Sequence, residues 1–241
     1  MRRSDKRSVT DIREIEIIPN FIKNADGSCL VKWGNTHIIC TANLDESVPR
    51  FLKFTKNGWL TAEYSLLPSS THTRVKREIS SGKASPRTLE IQRLISRSLR
   101  SSLDLTILGE KQIIIDCDVI NADGGTRCAG ITGGFVALSL AVNNLIKRKI
   151  LRKNPIKKQI AAISCGLSEE RTIIVDLNYK EDSSAITDAN FVFDSENGIV
   201  EIQSTAEKDN FSKEEFVDML DLSQKAIAKI MKIQNKAILN I

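Results

Sequence analysis

Histidine is scarce in this sequence, and so are proline, aromatic residues and cysteine pairs. The two histidines, His37 and His72, argue against a zinc centre and leave oxygen donors for any metal, which suits a hard ion held by carboxylates. The five cysteines (Cys29, Cys40, Cys117, Cys128 and Cys165) include no C-x-x-C spacing. An odd number in strand-like and helical contexts reads as reduced, packed thiols. Five prolines, twelve glycines and no Ser- or Gly-rich tract leave no flexible linker, and no repeat of solenoid period is present. The opening stretch MRRSDKRSVTDIRE lacks an apolar signal core and no run approaches membrane-spanning length, so a cytoplasmic protein without a membrane partner is expected. What is present is apolar content of 41% in 241 residues, enough for a sizeable core, expected as a single domain over residues 1–241.

Charge is unevenly placed. The net charge is +5, yet residues 71–100 alone carry +6 from eight basic groups and two acids, and the rest of the chain carries −1. Arginine dominates that segment, and its planar fork binds two phosphate oxygens at once. Such a cluster is the footprint of a protein that meets a polyanion. A second basic run from Lys147 to Lys158 contains no acid, but it falls where a helix should end and reads as structural.

Hydrophobic periodicity predicts strands in IREIEIIPNFI and GSCLVKWGNTHIICTANL around a turn at Asp26-Gly27, and another in GWLTAEYSLLP. The polar stretch 69–85 has no usable period and reads as a mobile loop. From Arg87 to Leu105, the spacing of Ile91, Leu94, Ile95, Leu99 and Leu103 predicts a helix with one apolar face. KQIIIDCDVI reads as a buried strand and ITGGFVALSLAVNNLI as a helix. Four more strands are expected at QIAAISCGLS, RTIIVDLN, ANFVFD and GIVEIQSTAE. A closing helix opens on a Ser212/Glu215 capping box, with Gln234 interrupting its apolar face. Strands alternating irregularly with a few long helices predict a layered α/β (α+β) domain with mixed sheets.

Three features bear chemistry. The turn Asp123-Gly124-Gly125-Thr126-Arg127 precedes a helix, where unpaired amides and the macrodipole favour an anion; it is either a phosphate seat or an ordinary glycine turn. Arg87 opens a helix after Pro86. The stretch DLNYKEDSSAITDAN gathers Asp176, Glu181, Asp182 and Asp188, as a solvated acidic loop or as donors to a hard cation. Together they suit phosphoryl or nucleotidyl transfer.

Across nearly its whole length the sequence resembles the ribonuclease PH family of phosphate-dependent exoribonucleases. The resemblance runs in order through VKWGNTHIICTA, GWLTAEYSLLPSSTHTRVKRE, RTLEIQRLISRSLR, IIIDCDVINADGGTR, DLNYKEDSSA and EIQSTAE. It implies a fold shared with exosome-core subunits and polynucleotide phosphorylase. It also implies trimming of tRNA precursors, and of other structured RNA such as rRNA, at their 3′ ends, with inorganic phosphate as co-substrate and release of nucleoside 5′-diphosphates. By the same resemblance Arg87, Gly125, Thr126 and Arg127 bind phosphate; Asp182 and Asp188 serve metal binding, with Mg2+ as cofactor, and acid catalysis; and Arg74, Lys76 and Arg77 grip tRNA. A homohexamer built as a trimer of dimers is implied too. Pro86, Ser96 and Cys128 depart from the residues usual in the family, and Pro86 stiffens the approach to Arg87. Two other readings are a metal-dependent hydrolytic nuclease and a non-catalytic ring subunit.

Overall fold

The computed structural model describes residue 3 and residues 5–239. Met1, Arg2, Ser4, Asn240 and Ile241, which the expected domain span and the reading of the N-terminus include, lie outside the described residues. Strands β1 (Ile15–Pro19), β2 (Gly27–Trp33), β3 (Thr36–Asp45), β4 (Trp59–Leu66) and β5 (Gln112–Asn121) form one sheet in the order β1-β2-β3-β5-β4. All of its pairings are antiparallel except that of β4 with β5. A parallel pair needs a crossover, and α1 (Pro86–Ser101) with the short α2 (Leu105–Leu108) supplies it. The helix expected to reach Leu105 stops at Ser101, leaving Leu103 buried just beyond its end. Residues 69–85 are irregular apart from one 3-10 turn, Glu78–Ser81.

A second, antiparallel sheet has the order β7-β6-β8-β9, from β6 (Ile160–Leu167), β7 (Ile173–Val175), β8 (Thr187–Asp194) and β9 (Ile199–Ala206). Helix α3 (Thr126–Lys147) packs against β2 and β3 on one side and β6 on the other. Its length and apolar composition would suffice to cross a membrane, contrary to the expectation that no run is so long; it is instead a core helix with 17 of its 22 residues buried. Gly133 permits the close approach: a Cβ there would lie 2.8 Å from Cys40 Sγ and 2.6 Å from Val31 Cγ2. All five cysteines are buried and free.

Every residue of β6 is buried, because α5 (Lys213–Leu239) packs against the same strand. The predicted capping box forms: Ser212 N donates to Glu215 Oε2 at 2.7 Å and Glu215 N to Ser212 Oγ at 3.1 Å. Gln234 does not interrupt the buried face. Fully buried, it donates to the carbonyls of Thr132 and Ile160 at 2.9 and 3.0 Å and accepts from Gln159 at 2.7 Å. A buried amide with its hydrogen bonds made ties α5 to α3 and β6, and those bonds offset its desolvation.

The acidic stretch expected to be a loop contains a helix, α4 (Tyr179–Ser184), capped by Asn178 and Glu181. Of its four acids, two are structural. Asp176 is 1% exposed and bonded to Arg13, and Glu181 is 6% exposed and accepts two bonds from Arg3. They are buried ion pairs, neither solvated nor open to a cation.

Candidate active site

Glycine at 124 and 125 allows successive left-handed residues, φ 76° and 68°, between β5 and α3. Gly124 also packs against the chain entering α4, where a Cβ would lie 2.7 Å from Leu177 O. Tyr179 N donates to Asp123 Oδ1 at 3.3 Å. These contacts bring the first turn of α3, with Thr126 and Arg127, beside α4 and Asp182. Asp188 lies on β8, level with Gly166 of β6 and Thr205 of β9.

The result is a cavity of about 470 Å3, with Arg87, Thr126, Arg127, Asp182 and Asp188 among its lining residues. Sequence reasoning placed Arg87, Gly125, Thr126, Arg127, Asp182 and Asp188 in one site, and all six line this cavity. Arg74, Lys76 and Arg77 do not line it. They are exposed on a loop whose Thr71, His72, Thr73 and Val75 form part of the wall. His72 lies 5.7 Å, ring to ring, from Tyr179.

Charged groups of both signs meet in the cavity. Arg127 reaches Glu90 through one terminal nitrogen, at 3.0 Å, while its Nε is buried with no hydrogen-bond partner among the described residues. Asp188 Oδ1 is likewise buried and unpartnered. Burial, joined by repulsion from Asp182 and Glu207, raises the Asp188 carboxyl above its ordinary value. Asp182 is exposed to solvent, yet the protein around it is dense enough that desolvation outweighs Arg127 and Arg87 and raises its carboxyl too.

The departures from the family pattern find local reasons. Pro86 stands at the first helical position of α1, where its missing amide costs nothing, and Ser85 caps the helix by accepting from Thr88 N at 3.1 Å. Arg87 follows on an exposed first turn. Ser96 accepts from Ala62 N of the edge strand β4 at 2.7 Å, satisfying a buried donor that a glycine would leave unmet. Cys128 donates to Asn190 Oδ1 at 3.4 Å, and burial pushes its thiol up to about 12, so it is no nucleophile at neutral pH.

Tyr64 was not foreseen, because nothing in an alternating strand distinguishes one inward residue from the next. It is buried on β4, and its hydroxyl donates to Thr126 Oγ1 at 2.9 Å. Thr126 Oγ1 is thereby used as an acceptor, which turns its own proton elsewhere. On the phosphate-seat reading of the sequence, Tyr64→Phe is expected to raise the KM for phosphate about threefold to tenfold with kcat little changed, the loss of one orienting hydrogen bond. Initial rates across a phosphate series at saturating RNA measure it.

Comparison with known proteins gives two family-model matches: 3′ exoribonuclease family domain 1 over residues 11–143 and domain 2 over residues 158–226. The chain is 48% identical over 236 residues to proteins named ribonuclease PH from strains of Cereibacter sphaeroides, covering 98% of this chain and 99% of theirs. Two solved structures share the fold. Rice (Oryza sativa) Rrp46 superposes with a TM-score of 0.80 at 18% identity, covering 98% of this chain and 100% of that one. The Archaeoglobus fulgidus exosome with RNA bound to the active site superposes at 0.81 with 22% identity, covering 96% and 92%.

Proposed function

This chain belongs to the ribonuclease PH family of 3′ exoribonucleases, and from that premise we propose how its site works. It is a phosphate-dependent exoribonuclease of the nucleotidyltransferase type, shortening RNA from the 3′ end. An oxygen of inorganic phosphate forms a bond to the last internucleotide phosphorus, the bond from that phosphorus to the 3′ oxygen breaks, and a nucleoside 5′-diphosphate leaves. The observation that carries the assignment of residues is the buried, unpartnered Nε of Arg127 at the start of α3. A buried guanidinium N–H without a partner, on a residue that lines the cavity, calls for an acceptor, and phosphate is the acceptor the family uses.

Arg127, Arg87, Thr126 and the amide of Gly125 bind the attacking phosphate and fix it in line. One of Asp182 and Asp188, both with raised carboxyls, holds the proton required by the departing 3′ oxygen. The unpartnered Asp188 Oδ1 and the neighbouring Asp182 offer the hard oxygen donors that Mg2+ prefers, so the residues fit that cofactor. When bound there, Mg2+ supplies neutralisation where two anions meet.

A hydrolytic nuclease would need no anion seat. Removing phosphate by dialysis and restoring it, with a 3′-extended tRNA as substrate, separates the two: nucleoside diphosphates released only with phosphate support this reading, and monophosphates released without it reject it.

We extend the proposal to tRNA precursors as substrates, a homohexamer and a cytoplasmic setting. The phosphate-binding residues lie in one family-model segment and the two acids in the other, which favours a single working unit. Arg74, Lys76 and Arg77 are exposed beyond the cavity wall, and in this reading they meet the body of a tRNA. Replacing all three by alanine is expected to weaken tRNA binding by about tenfold or more and to flatten its salt dependence. A short RNA that never reaches the loop should be degraded at nearly the normal rate, and equal loss on both substrates would assign the loop to the catalytic centre instead.

A further inference from the structure

Arg13 lies far from the glycine turn in sequence and is 6% exposed. Its Nη1 donates to Asp123 O at 2.6 Å and its Nη2 to Gly124 O at 3.4 Å. Thr36 works from the same side, donating from Oγ1 to Gly124 O at 2.7 Å and accepting from Asp123 N at 3.0 Å. In a planar trans peptide, the C=O and the following N–H point in opposite directions. Holding the carbonyls of Asp123 and Gly124 therefore turns the amides of Gly124 and Gly125 away from Arg13, and both glycines line the cavity.

Arg13 is itself held. Asp176 accepts from its backbone N at 2.6 Å, its Nε at 3.1 Å and its Nη2 at 2.7 Å. Trp33 Nε1 and Arg7 Nη1 also donate to Asp176 Oδ2, at 3.0 and 3.2 Å. Asp176 keeps a left-handed backbone, φ 57°, a conformation a non-glycine residue adopts at a cost unless its surroundings hold it there.

We infer that Arg13, oriented by Asp176, is a positioning residue for the phosphate site: with Thr36 it fixes the peptide planes of the glycine turn so that their amides face the anion. The inference rests on the phosphate-seat reading given above. It makes the affinity for phosphate depend on a side chain that touches neither phosphate nor RNA.

The test compares Arg13→Lys, Thr36→Val and Arg127→Ala in the full chain, measuring phosphate KM, RNA KM and kcat together with the melting temperature. Arg13→Lys keeps a cation but loses the fork that spans the two carbonyls and the carboxylate. Its phosphate KM should rise about tenfold, while RNA KM and kcat at saturating phosphate stay within about twofold of wild type. Thr36→Val, nearly isosteric, should shift the same constant in the same direction, and it decides the matter if Arg13→Lys does not fold. Phosphate KM unchanged in the folded variants overturns the inference, as does an equal fall in affinity for RNA. Arg127→Ala separates the two layers. If it loses phosphorolysis while the other two keep a normal phosphate KM, only the positioning role is rejected. If it too keeps a normal phosphate KM, the seat is misplaced and the positioning role falls with it.

Discussion

Arg127→Ala is expected to reduce phosphorolysis by about 10²- to 10³-fold or more, the scale seen when a preorganised donor to transition-state charge is removed, roughly 3–4 kcal/mol. The guanidinium lines a cavity and pairs with the half-exposed Glu90, so the fold and RNA binding should persist. Arg127→Lys should be impaired as well, because a point charge cannot reproduce a planar fork that meets Glu90 through one N–H and keeps others for an anion. Phosphorolysis of a 3′-extended tRNA at limiting phosphate, with circular dichroism as the check on folding, measures the effect. Normal turnover would place the anion elsewhere.

Asp182→Asn and Asp188→Asn should each lower the chemical step by two or more orders of magnitude, on the order of 3 kcal/mol, with RNA affinity nearly unchanged. Stability should move the other way. Burial raises both carboxyls in the folded chain, so each favours folding below its unfolded pKa and loses that contribution as pH rises through the folded value. At neutral pH the ionised groups are a burden, and the amides should melt higher than wild type. Asp182→Asn also removes a like charge beside Asp188, so any alkaline limb set by loss of the Asp188 proton should shift to lower pH. Single-turnover trimming at saturating phosphate and Mg2+, alongside thermal melts, reads both effects. Wild-type rates in both variants would remove the carboxylates from the mechanism.

Much of the fold was legible because its signals are local. Alternation marked the strands, a 3.6 period marked α1, and S-x-x-E marked the start of α5. What escaped depends on partners distant in the chain. Nothing in GWLTAEYSLLP states that β4 pairs in parallel with β5, and nothing in the apolar face of α5 states that Gln234 finds the carbonyls of Thr132 and Ile160. The acids were hardest to sort. Asp176, Glu181, Asp182 and Asp188 look alike in sequence, and only the arginines arriving from the N-terminal segment make the first two structural and leave the last two for the cavity.

Helix α3 also has a history within each folding event. It leaves the ribosome before β6 and α5, the elements that cover its second side, have emerged. Until they arrive, the chain can shelter this apolar helix only on the face turned to β2, β3 and α1. Productive folding must therefore wait for the last helix, through an interval in which a half-covered core is open to aggregation. A nonsense codon ahead of α5 would leave a sticky fragment rather than a smaller enzyme, even though it spares every residue of the cavity.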